Sequence, residues 1–176
     1  PVISYDFSEN TNLTVEYEYL EDNQAFDDGI PLDPIAFDLP RGRFLSEPDD
    51  FFNNTIHRFF ATLNHQFNEN ISLRSNFGAE IGDDELLAFR PFSFDPESGD
   101  FTRVFNDDRS FNDNLSWQTD LISNFNTGSV EHELLAGFEL ARTTFGFNDL
   151  STSTFVFDPE NNPLTINVFD PQYGTP

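Results

Sequence analysis

The chain has 176 residues and a net charge of -24, and 16% of it is aromatic with 23 Phe, yet its mean hydropathy is only -0.47. All eight basic residues are Arg and they are dispersed, so no patch exists to neutralise phosphates, which excludes nucleic acid and argues against electrostatic binding to anionic lipid headgroups. Cys is absent, which removes disulfides, thiol nucleophiles and thiolate metal sites, and no run approaches the 18 or so apolar residues of a transmembrane helix.

The first residues, Pro1 to Asp6, have neither the basic start nor the apolar core of a signal peptide, which leaves a non-exported protein or an internal piece. Val2 to Phe7 reads as a short strand. From Asn12 to Glu21, Leu13, Val15, Tyr17 and Tyr19 fall on one face and Thr14, Glu16 and Glu18 on the other, the period-two pattern of a strand. A long link rich in Asp, Pro and Phe follows from about Asp22 to Phe52. From His57 to Phe67, Phe59, Ala61, Leu63 and Phe67 oppose Arg58, Thr62, Asn64 and Gln66, with Phe60 out of pattern. After Asn68-Glu69-Asn70, Ile71, Leu73, Phe77, Ala79 and Ile81 oppose Ser72, Arg74, Asn76 and Glu80.

A second long link is expected from Asp84 to Asp108. Between Phe111 and Phe125, Leu115, Trp117 and Leu121 share the apolar face. After the turn Asn126-Thr127-Gly128-Ser129, Val130, Leu134, Ala136, Phe138 and Leu140 oppose Glu131, Glu133 and Glu139. A third long link begins at Asn148. Short turns therefore alternate with long, acidic links, and Phe67 and Phe125 each stand one residue before a short turn, where an interfacial aromatic girdle falls.

This pattern predicts an all-β antiparallel meander of about six long strands in a transmembrane β-barrel, apolar outside and polar inside. Six strands cannot close around a charged interior, since a small closed barrel needs about eight. A soluble acidic β-sandwich that binds calcium or carbohydrate shows the same alternation and stays open as the alternative, as does another outer-membrane channel such as a porin or a cobalamin receptor.

Two loop segments carry a more specific signal. Asp28-Gly29-Ile30-Pro31-Leu32 is followed by Leu39-Pro40-Arg41-Gly42-Arg43-Phe44-Leu45-Ser46-Glu47-Pro48-Asp49-Asp50-Phe51, and Asn167-Val168-Phe169-Asp170-Pro171-Gln172-Tyr173-Gly174 lies near the end of the chain. Together with Thr55-Ile56-His57-Arg58, Leu63 to Asn70, Gln118 to Leu121 and Phe125 to Gly137, they resemble, in order, the barrel of ferrichrome-type TonB-dependent siderophore receptors. Gly42 and Ser46 depart from the family's usual residues.

The resemblance implies that residues 1–176 are a partial barrel domain supplying about six early strands of a 22-stranded transmembrane β-barrel in the bacterial outer membrane. It implies that the plug, the TonB box and the C-terminal strands lie outside this chain. The function implied is TonB-dependent uptake of ferric siderophore. The partners are the siderophore, outer-membrane lipid and, through the plug, the TonB–ExbB–ExbD complex. No enzyme activity, catalytic residue or protein-bound cofactor or metal is expected, because iron arrives inside its chelator.

The loop aromatics Phe44, Phe89, Phe92, Phe94 and Tyr173 are the candidate siderophore contacts, since aromatic rings bury large areas on a ligand. Packing of the loops on one another is the competing role for them. His57, His65 and His132, all on apolar faces, are read as structural. The clusters Asp27-Asp28, Glu47-Pro48-Asp49-Asp50, Asp83-Asp84-Glu85 and Asp107-Asp108 lack the spacing of a calcium loop and are read as solvated surface. Arg58, Arg74 and Arg142 are placed on or near polar faces, to pair with carboxylates across strands. Asn-x-Ser/Thr matches such as those beginning at Asn53, Asn70 and Asn114 carry no weight in an Asn-rich chain, and a bacterial origin would leave them unmodified.

Overall fold

The computed structural model describes residues 1–149 and 164–174. Its strands are β1 (Val2–Ser8), β2 (Thr11–Ala25), β3 (Phe51–Asn68), β4 (Ile71–Asp95), β5 (Asp100–Thr127), β6 (Val130–Asp149) and the short β7 (Ile166–Asn167), with a 3-10 turn at Pro34–Asp38. The first six follow one another in chain order across the sheet, an antiparallel meander, and β7 pairs with β5. No helix among the described residues is long and apolar enough to cross a membrane. The strands, in contrast, run to 28 residues in β5.

The chain divides into two compact units. The first holds 1–21, 55–83 and 111–146, the second 22–54, 84–110 and 147–176. In the first unit the short turns join β1 to β2, β3 to β4 and β5 to β6. Every buried apolar side chain among the described residues, Ala36, Leu39, Leu45, Ala88, Phe101, Ile166 and Val168, belongs to the second unit. The first unit has an apolar face and no core beneath it. Leu134 is 55% exposed, Leu140 60%, Phe67 55% and Ile3 69%. A β-sandwich would cover these side chains with a second sheet, and none among the described residues covers them. A sheet that presents such a face continuously is built for a hydrocarbon solvent, in which each backbone N–H and C=O must find its partner on the next strand.

The opposite face of the same unit carries a row of polar contacts. Arg58 on β3 reaches Glu18 on β2 at 3.1 Å and Glu80 on β4 at 2.6 Å. Asn114 on β5 donates to Glu80 at 3.2 Å, and Thr143 on β6 donates to Asn114 at 2.8 Å. Five consecutive strands are thus tied side chain to side chain at one level. Where β6 passes beside Thr119 and Asp120 of β5, Gly137 is required. A Cβ there would meet the carboxylate of Asp120 and lie 2.7 Å from the Thr119 carbonyl oxygen.

Two expectations are corrected. The stretch from Asp84 to Asp108 is not a long link: β4 continues to Asp95 and β5 starts at Asp100, so four residues, 96–99, make the connection. Its Asp- and Pro-rich composition suggests a loop, but two long strands satisfy each other's backbone bonds whether or not an apolar face accompanies them. The turn is made locally. The Asp95 carboxylate accepts from the Glu97 N–H at 2.9 Å and the Ser98 hydroxyl at 3.0 Å, which hold its pKa below the ordinary value, and Gly99 turns with φ +77°. The second correction concerns Arg142. The register marked by Asn114 with Thr143 on the polar face, and by the close approach of Phe111 to Gly146 on the apolar one, puts Arg142 on the face of Leu140. The link expected from Asn148 onward lies largely outside the described residues.

A charge placed on the uncovered face separates the lipid-facing reading from any soluble one. Leu121→Arg is expected to cost about 2–4 kcal/mol of stability in a bilayer, whereas Gln118→Arg on the polar face leaves it nearly unchanged. Denaturant midpoints of protein refolded into lipid vesicles check this, and equal midpoints for the two variants would refute it.

Candidate functional site

The densest side-chain chemistry lies in the second unit, where the segment before β3 and the segment 164–174 both meet the β4–β5 hairpin. The first segment is shaped by its own turn residues. Asp33 caps the 3-10 turn by accepting the Ile35 N–H at 3.0 Å, Pro34 opens the turn, and Ala36, Leu39 and Leu45 turn inward. They form one small core with Phe101, Ile166 and Val168, against which Phe94 packs. β7 is seated on β5 by the pairs Asp100 with Asn167 and Phe101 with Ile166.

Arg103 lies at the centre, 1% exposed. Its Nε donates to the Leu164 carbonyl at 2.9 Å, Nη1 to the Leu45 carbonyl at 3.1 Å and Nη2 to Glu47 Oε1 at 2.7 Å. The guanidinium carbon stands 5.1 Å from the Phe89 ring centroid, and Phe89 packs on Phe105 at 5.0 Å. The other oxygen of Glu47 accepts the Gly174 N–H at 2.7 Å. The planar fork of Arg suits this task, since it serves several acceptors in fixed directions without deprotonating.

Asp50 closes the arrangement from the other side. Its Oδ2 accepts the Glu47 N–H at 2.8 Å and the Phe89 N–H at 3.0 Å, so a side chain takes up a donor of β4 just before β3 begins at Phe51. Burial pushes the Asp50 pKa up. The two N–H donors and Arg103 oppose that rise, and the Glu47 charge adds to it.

Glu47 and Asp50 are therefore not solvated surface as their acidic run suggested. Both are buried, and only Pro48 and Asp49 between them are exposed. The run reads as a loop cluster because the cation that draws it inward lies 56 residues further along the chain. Arg103 escaped the sequence reading for the same reason. Its one advance sign was a lone Arg among Phe101, Val104 and Phe105.

The five candidate aromatics separate into distinct settings. Phe89 lies beneath Arg103, and Phe94 packs on the small core, edge-on to Phe101 at 6.0 Å. Both stand on β4, as does Phe92, which is 55% exposed. Phe44 and Tyr173 come together across the chain: their ring centroids are 6.3 Å apart, and the Tyr173 hydroxyl donates to the Phe44 carbonyl at 2.8 Å. Arg43 reaches the Phe169 carbonyl at 3.1 Å.

The histidines are not grouped. His57 Nδ1 meets the Tyr17 hydroxyl at 2.8 Å, His65 Nδ1 the Thr11 hydroxyl at 2.8 Å, and His132 Nε2 the Thr127 hydroxyl at 2.5 Å. Beside the short turns, His65 is edge-on to Phe67 and His132 stacks on Phe125. Among the described residues no group of three or more His, Cys, Asp or Glu side chains is arranged to hold a metal ion. Of the three arginines, Arg58 pairs with carboxylates across strands.

The whole chain is 33% identical, over 180 residues, to the metal-pseudopaline receptor CntO of Pseudomonas aeruginosa, of which the matched part is 24%. Its sheet has the fold of the wall of a TonB-dependent outer-membrane receptor barrel. A second relative of this segment is the ferrichrome outer membrane transporter/phage receptor of Escherichia coli K12, 24% identical over 208 residues that cover all of this chain and 28% of the transporter. The segment thus spans about a quarter of the length of these relatives. No protein-family model matches it. In fold it is similar to the siderophore receptor PiuA from Acinetobacter baumannii, with a TM-score of 0.76 at 18% identity over 99% of this chain and 28% of that one. FpvA of P. aeruginosa, solved with a heterologous pyoverdine and iron, also gives 0.76, at 16% identity over 99% and 24%.

The raised pKa of Asp50 gives the receptor segment a signed pH dependence. The folded loop keeps its proton to higher pH than the unfolded chain, so the Asp50 contribution is favourable below the raised value and is lost as pH rises through it. Relative to Asp50→Asn, the wild-type protein is expected to lose stability as pH rises above the ordinary carboxylate range. Denaturation midpoints across that range check it, and parallel curves would contradict it.

Proposed function

We propose that the protein to which this segment belongs carries out TonB-dependent uptake of ferric siderophore across the bacterial outer membrane. The observation that carries the reading is the 33% identity over the whole chain to a receptor named for a metal chelate, in a chain whose sheet has an uncovered apolar face. The second relative is named for ferrichrome, and the solved neighbours include receptors named for siderophores. The relatives are receptors and transporters, and the role proposed here is likewise transport without chemistry on the cargo.

The segment contributes wall and rim. Its apolar face meets lipid and its polar row faces the lumen, where charged side chains stay hydrated or paired. The rim aromatics Phe44 and Tyr173, with the exposed Phe92, are proposed to touch the chelate, and iron stays coordinated by the siderophore. Phe89 and Phe94 support the rim from beneath. Energy enters through the TonB–ExbB–ExbD complex acting on a plug, which no residue here supplies.

The test is uptake by iron-starved cells that express the intact receptor and lack their other receptors, using radioiron held by a trihydroxamate and by a triscatecholate. Uptake of at least one complex that stops when the receptor gene or TonB is deleted is the expected result. Uptake that persists without TonB would favour a porin-like channel and overturn the proposal. Inhibition of radioiron uptake by zinc or nickel chelates would broaden the cargo to metal chelates generally.

A further inference from the structure

We propose that Arg103 is a positioning residue of the rim, presenting Phe44 and Tyr173 as one aromatic unit to the incoming chelate. The inference rests on the uptake reading above and adds a residue that touches no ligand. Its basis is geometric. The guanidinium holds the Leu45 carbonyl, one residue from Phe44, at 3.1 Å, and Glu47 Oε1 at 2.7 Å. The other oxygen of Glu47 holds the Gly174 N–H, one residue from Tyr173, at 2.7 Å. The remaining edge of the guanidinium holds the Leu164 carbonyl at 2.9 Å, on the stretch of chain that leads to Tyr173.

A single buried cation therefore fixes the backbone beside both rings, though the rings lie 129 residues apart in sequence. The hydrogen bond from Tyr173 to the Phe44 carbonyl closes the loop between them. The two rings are partly exposed while the charged side chains of the clasp are buried: the Arg103 side chain is 0% exposed and that of Glu47 7%. This is the arrangement of a support beneath a contact surface. Breaking a buried charge pair on one side leaves the other charge uncompensated, so the clasp holds as a unit or fails as a unit.

Lys has the charge of Arg but lacks the planar fork, so it cannot serve the three acceptors at once. Arg103→Lys is therefore expected to loosen both segments. In the intact receptor, hydrogen exchange should accelerate together over 43–47 and 164–174, with the strands of the first unit still protected. Affinity for the radioiron trihydroxamate complex should fall on the order of tenfold, the size of one lost anchoring bond.

The decisive arm is the same change made in a Phe44→Ala, Tyr173→Ala background. If Arg103 acts through the rings, its effect on affinity disappears there while the accelerated exchange remains. A full, additive tenfold loss in that background overturns the proposal, and so does acceleration confined to one of the two segments. If Phe44→Ala and Tyr173→Ala leave affinity unchanged in the parent receptor, the aromatic contact itself is wrong and positioning falls with it, whereas uptake as such stands. If the parent receptor binds no trihydroxamate, the triscatecholate complex takes its place in the same cycle, and failure with both overturns the uptake reading and this one with it.

Discussion

An apolar face that none of the described residues covers is the constraint on which the first unit depends. Burial of apolar surface is the dominant driving force of a soluble fold, and here it is missing from a sheet that carries Leu, Val, Ile, Phe and Trp on one side. What remains is the ladder of backbone hydrogen bonds between neighbouring strands and the polar row from Glu18 through Arg58, Glu80 and Asn114 to Thr143. Both are features of a barrel wall, where lipid supplies the apolar solvent and the neighbouring strand supplies every backbone partner. The partly exposed ion pairs on that row contribute little individually, and their value lies in keeping charge on the lumen side.

The second unit obeys the opposite rule. It builds a small core of its own and gathers two distant segments onto the β4–β5 hairpin through Arg103, Glu47 and Asp50. Burying a guanidinium and two carboxylates is costly unless each is fully partnered, and the partners here are backbone groups of the segments that have to be held. Electrostatics in this unit therefore serves to fix loop geometry. The chain thus combines a sheet with an uncovered apolar face and a unit with a small core of its own.

Much of the wall could be read in advance because alternation is a local signal: Leu13, Val15 and Tyr17 or Leu134, Ala136 and Phe138 declare their face within five residues. The loop motifs around Phe44 and Tyr173 were equally legible as a family resemblance. The extension of β4 and β5 through Asp84 to Asp108 was not, because long strands outside the apolar band need no apolar periodicity and their Asp and Pro content imitates a loop. The burial of Glu47 and Asp50 escaped as well, since an acidic run looks solvated until the distant Arg103 is brought beside it. Arg142 was misplaced by its charge, where its register with Leu115 and Leu140 decides the face.

The central claim, that the uncovered face meets hydrocarbon, is tested most directly by the single tryptophan. Trp117 stands on that face beside Leu115 and Leu121, 45% exposed, with its indole N–H bonded to Ser75 at 2.9 Å. In protein refolded into vesicles and showing a β-sheet circular dichroism spectrum, its fluorescence should be quenched by lipids brominated along the acyl chain and remain insensitive to acrylamide in the water. Quenching by acrylamide with no response to the brominated chains would place Trp117 in water and contradict the barrel-wall account.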